Sequence, residues 1–75
     1  MGRLRVLSGR DVCVLLAGHG FVEVPRRGSH VVMQKRTEGS TITVPVPDHR
    51  EIRIGTLQSI IRQSMLPRAL FEHDE

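Results

Sequence analysis

The chain reads as an α+β domain in two layers, helix, three antiparallel strands, helix, with both helices on one face of the sheet. Three observations carry this. Two stretches repeat apolar residues at three and four positions, three β-branched runs lie between them, and only short turns join those runs.

Ser8, with Asp11 three residues on, has the form of a capping box in which Asp replaces the usual Glu, so a helix starts at about Gly9. Val12, Leu15 and Leu16 make its apolar face over about three turns, and Gly18 and Gly20 offer left-handed positions to end it. Phe21-Val22-Glu23-Val24 alternates with period two and is a first strand, stopped by Pro25. Residues 26–29 turn, with Gly28 the natural carrier of a positive φ, and a second strand runs from 30 to about 35. Parity sets His30 and Val32 on one face, Val31 and Met33 on the other.

A second turn, 36–39, leads into Ser40-Thr41-Ile42-Thr43-Val44, the strongest strand signal in the chain. Pro45 and Pro47 are expected to end it, because neither can donate to a ladder. A polar loop over 48–51 leads through Ile52 and Ile54 to Gly55-Thr56, the expected cap of a second helix whose Leu57, Ile60, Ile61 and Met65 face the core. Pro67 breaks that helix and suits the first turn of a short terminal one over 68–72, whose Leu70 and Phe71 close one end of the core. The sheet face away from the helices is left open, where side chains of the second strand can meet a ligand.

Seventy-five residues make one small domain, 1–75, with an acidic tail at about 72–75. Eleven Lys and Arg against eight Asp and Glu give +3, and Glu72, Asp74 and Glu75 leave the body of the chain more basic than the total, which favours an anionic partner. With Phe21 and Phe71 the only aromatics, base-stacking sheets of the RRM or cold-shock kind are disfavoured, and a nucleic acid would be held by charge and shape. Cys13 stands alone and reads as a small core residue; no disulfide can form within the chain, which points to a reducing cytoplasm. The longest apolar run, 12–17, is too short to span a bilayer, and Val6 stands where a Met1-Gly2 myristoylation signal wants Ser or Thr. The expectation is a soluble protein with no membrane partner.

Chemistry concentrates in Arg26-Arg27-Gly28-Ser29-His30, where an imidazole follows a basic turn and opens the β-branched run Val31-Val32-Met33. The two arginines would gather phosphate and favour the neutral, proton-accepting form of His30. Taken alone, a strand histidine reads as structural, Gly28 as a turn glycine, and Ser29 as a residue that bonds its own turn. His49, beside Asp48, is the secondary candidate for proton transfer, weighed against an Asx-type turn. His19 fits a helix end and His73 a frayed tail. No pair of histidines has zinc-site spacing, so neither a metal nor another cofactor is expected. Arg53 and Arg62 read equally as a solvated helix face or an RNA contact.

Several short pieces recur in a recognisable order: Leu7-Ser8-Gly9, Gly20-Phe21, Arg27-Gly28-Ser29-His30, Thr43-Val44-Pro45 with Asp48-His49, Gly55-Thr56-Leu57, and Ile60-Ile61-Arg62-Gln63 before Leu66 and Phe71. In that order and spacing, over nearly the whole chain, they resemble the HicA-type toxins, small RNA-cleaving partners of HicB-type antitoxins. The resemblance implies a fold like the double-stranded-RNA-binding domain and a metal-independent endoribonuclease acting on mRNA. It also implies that His30 is the general acid/base and that an antitoxin covers it. Arg26, Arg27, Gly28, Ser29 and Lys35 are then the expected phosphate-binding residues. Ser64-Met65 stands where the family usually has Ala-Gly, so the end of the second helix must be capped differently. Two other readings stand beside the enzyme. One is a non-catalytic RNA-binding module using the same basic face, the other a domain whose open sheet face or edge pairs with a protein.

Overall fold

The computed structural model describes residues 2–25 and 28–73. Their order is α1 (Gly9–Ala17), β1 (Val22–Val24), β2 (His30–Thr37), β3 (Ser40–Pro47), α2 (Ile54–Ser64) and a 3-10 turn (Arg68–Phe71). The three strands form one antiparallel sheet in the order β1-β2-β3. The α+β class is the one expected.

The first helix begins as its sequence dictates. Asp11 N–H donates to Ser8 Oγ and Ser8 N–H donates to Asp11 Oδ2, both at 3.0 Å, a complete reciprocal capping box. It ends in a Schellman pair, Phe21 N–H donating to Leu16 O at 3.1 Å and Gly20 N–H to Ala17 O at 3.4 Å. Of the two glycines expected to turn left-handed only Gly20 does, at φ 94°; Gly18 keeps helical angles. Phe21 serves this cap, so β1 starts at Val22 and not at Phe21.

Face assignment follows from register. Val31, Met33 and Lys35 pair across the sheet with Val46, Val44 and Ile42 and point towards the helices. There Met33, Val44 and Val46 join Val12, Cys13 and Leu16 of α1, Leu57, Ile60 and Ile61 of α2, and Phe21 and Phe71 in one buried cluster. Burial of those apolar surfaces, at about 25 cal/mol per Å2, is the main stabilising term.

β3 overruns both prolines that were expected to stop it. Pro45 pairs with Val32 and Pro47 with His30. Two residues apart on an edge strand, they share the orientation that leaves the nitrogen pointing off the open edge, which is the one a strand proline tolerates. The second hairpin also tightens: β2 continues to Thr37, and only Glu38 and Gly39 form the turn.

The second helix starts earlier than its sequence suggests, with Arg53 at the N-cap in place of Gly55-Thr56. At its other end Met65 leaves the apolar face altogether. It takes a left-handed φ of 64° and is 77% exposed, while Ser64 is buried in its stead. Ser64 Oγ donates to Ile61 O at 2.8 Å and accepts from Leu66 N–H at 3.1 Å, so a side chain satisfies the groups that a glycine cap would leave to the backbone. The terminal helix is one 3-10 turn ending at Phe71, one residue short of the expected Glu72. Beyond it Leu4 bridges Glu72, Arg5 N–H donates to Phe71 O and His73 N–H to Arg3 O, tying the two ends of the described chain together.

No helix among the described residues is long and apolar enough to cross a membrane.

The Ser8 hydrogen bonds hold the Asp11 carboxyl below its ordinary value of 3.8. A carboxyl lowered by folding stabilises the native state above its unfolded value and loses that contribution as pH falls through the folded one. Thermal melts between about pH 5 and pH 2 should therefore show a steeper loss for the parent than for Asp11→Asn. Parallel losses would mean that the capping box has no part in acid stability.

Candidate functional site

His30 is the first residue of β2 and is exposed. Its strand is held on both sides, by β1 and β3, and Pro47 is its cross-strand partner. Ser29 Oγ lies 3.5 Å from His30 Nδ1, the long limit of a hydrogen bond, so the hydroxyl orients the ring only loosely. Among the described residues none bonds Nε2.

The approach to His30 is shaped by one glycine. Gly28 adopts φ 102°, a conformation L side chains rarely take, and a Cβ there would meet nothing within 4 Å. Glycine is thus needed for the backbone alone, and the space above it stays open to a ligand. Arg26 and Arg27, the expected phosphate ligands, lie outside the described residues.

The open sheet face extends from His30 in bands. Val32, on the same face, is buried between its cross-strand neighbours Val24 and Pro45. Next come Gln34 and Thr43, joined by a 3.3 Å hydrogen bond, and then the exposed pair Arg36 and Thr41. Arg36 was expected in a turn; as a strand residue it shares the face of His30, about 20 Å away along β2. The extension of β2 by two residues is what places it there, and the alternation Gln34, Arg36 was the available signal.

Lys35 is not gathered with His30. An odd separation along a strand puts it on the opposite face, where its ammonium lies 5.8 Å from the centroid of the Phe21 ring and its stem runs past Gly20.

The loop after β3 does come to His30. Asp48 N–H donates to Ser29 O at 3.3 Å, and Gly9 N–H at the start of α1 donates to His49 O at 2.8 Å. Gly28, Ser29, His30, Asp48 and His49 are all exposed, so this corner of the sheet can receive a large ligand.

Other candidates separate from it. His19 follows α1 at the start of β1, the far end of the β1-β2 hairpin, and His73 belongs to the terminal pairing with Arg3. Burial pushes the Cys13 thiol up, which keeps it neutral and poorly nucleophilic. Among the described residues no three His, Cys, Asp or Glu side chains cluster as a metal site. Arg62 donates to Ser59 Oγ at 3.0 Å on the exposed side of α2, and Arg53 is exposed at its N-cap.

Gly28→Ala should cost about 1–2 kcal/mol in thermal or urea unfolding, through backbone strain alone. No loss would mean that the 28–29 turn relaxes freely and does not define the position of His30.

Residues 9–66 match the family model described as the HicA toxin of bacterial toxin–antitoxin systems. The matched segment runs from the first residue of α1 past the Ser64-Met65 cap, and includes His30 and the loop through His49. No curated protein matches the chain.

Proposed function

Because the chain belongs to the HicA toxin family of bacterial toxin–antitoxin systems, which implies an antitoxin partner, we propose that it is an endoribonuclease that cleaves mRNA without a metal. His30 acts as general acid/base, and a HicB-type antitoxin silences the protein by covering it. Acting on mRNA, it works in the cytoplasm.

The observation that supports this reading is His30 itself: a rigidly rooted, exposed imidazole at a strand's first residue, with Nε2 unengaged among the described residues. RNA carries its own nucleophile. Removal of the 2′-OH proton lets O2′ attack the adjacent phosphorus, and departure of O5′ leaves a 2′,3′-cyclic phosphate and a 5′-hydroxyl. Imidazole suits such transfers because its ordinary titration lies near neutral pH, and a positioned acid or base contributes roughly 10²–10⁴-fold.

The extra negative charge at phosphorus needs donors. Arg26 and Arg27 precede the turn and would make charge-assisted bonds to the phosphate, while Gly28 leaves room for the RNA backbone and Ser29 adds a hydroxyl. Lys35 is set aside from this group by its place on the other sheet face. The open face, with Gln34, Thr43 and Arg36 in line with His30, would carry the strand onward. The fold's α-β-β-β-α order is also the one expected of a double-stranded-RNA-binding domain, which binds by shape and backbone contacts.

The test is the chemistry of the cut ends. Cleavage of a long single-stranded RNA should leave 2′,3′-cyclic phosphate and 5′-hydroxyl termini, and one 2′-deoxy substitution at a mapped cut site should abolish cleavage there alone. Persistent cutting at the deoxy site would rule out attack by the 2′-OH and the role given to His30.

A further inference from the structure

We propose that His49 is the second proton-transfer group of this site, the acid that protonates the departing 5′-oxygen while His30 takes the 2′-hydroxyl proton. The assignment rests on the ribonuclease reading above. Cleavage without a metal requires two proton transfers on opposite sides of one phosphorus, and a single ring engaged with the 2′-oxygen cannot reach the leaving oxygen at the same instant. The second transfer falls to water or to another group, and a side chain that serves it has to stand at the same corner on a neighbouring element.

The topology leaves one described imidazole that meets this. His19 lies at the opposite end of the β1-β2 hairpin, and His73 is bound to Arg3 in the terminal pairing. His49 follows Pro47, the cross-strand partner of His30, by two residues. The intervening Asp48 is bonded through its N–H to the carbonyl of Ser29, the residue just before His30.

His49 is also fixed from behind. Its carbonyl accepts the Gly9 N–H at 2.8 Å, and a Cβ on Gly9 would fall far inside contact distance of the Pro47 carbonyl oxygen. The N-terminus of α1 therefore clamps residues 47–49 through backbone alone. The imidazole is left exposed, outside the clamp, as a group meeting a ligand must be.

The step balances. The 2′-hydroxyl proton passes to His30 Nε2, the O2′–P bond forms, the P–O5′ bond breaks, and O5′ takes a proton from His49.

Because the clamp uses only the backbone of His49, His49→Asn should fold as the parent does, which a thermal melt checks. On ordinary RNA it should cut about 10²–10³-fold more slowly than the parent. On the same RNA with sulfur replacing the bridging 5′-oxygen at the mapped cut bond, the leaving thiolate needs no acid. There His49→Asn should match the parent, and His30→Asn should remain slow. A His49→Asn protein that cuts ordinary RNA at the parent's rate overturns the assignment, as does a slowdown of equal size on both substrates, which would make His49 a binding group. A parent that leaves ordinary RNA intact overturns the ribonuclease reading itself and this assignment with it.

Discussion

The contact on which the site depends is the one between Gly9 and Pro47. Any side chain at position 9 would collide with the Pro47 carbonyl, so glycine alone lets the first turn of α1 sit against the end of β3. That seat fixes three things together. It docks the helix whose Val12, Cys13 and Leu16 roof the sheet, it holds the strand residue paired with His30, and it anchors the loop carrying Asp48 and His49. A helix N-terminus thus forms the back wall of an exposed corner, and the corner's front is left to solvent.

The fold divides the work by sheet face. Odd residues of β2 and even residues of β3 build the core under both helices, and the alternate residues form an open face. Val32 shows the division is not simply apolar against polar: it is buried on the open side because Val24 and Pro45 flank it. That apolar band lies just behind His30, and a ring proposed to transfer protons is useful only if its Cα does not wander.

Much of this was legible from local pattern. Ser8 and Asp11, the alternation from Val22 to Val24 and the 54–64 helix each follow rules spanning a few residues. Misreadings arose where long-range geometry prevails over a local rule. Prolines end a strand only if their nitrogen would have to face a neighbour, and Pro45 and Pro47 lie on an edge. Met65 fits the helical repeat but sits one residue past the helix, where Ser64 closes the end by side-chain bonds. The pairing of residues near 4 with those near 72 joins opposite ends of the sequence, and no local signal announces it. At the site, the place of His30 at the start of β2 was legible because a β-branched run follows it. Lys35 was grouped with His30 by proximity in sequence, though its odd spacing from His30 already placed it on the other face. That the loop carrying His49 returns to Ser29 and His30 depends on the β2-β3 register, which only the fold supplies.

We propose a metal-free ribonuclease that works through His30. Its most direct test is cleavage of a long single-stranded RNA near neutral pH in excess EDTA, by the purified protein and by folded His30→Gln. The parent should cut and the variant should not. Cutting by both would show that His30 is dispensable. Failure of both, with salt-sensitive RNA binding retained, would make the protein an RNA-binding module that holds its ligand intact.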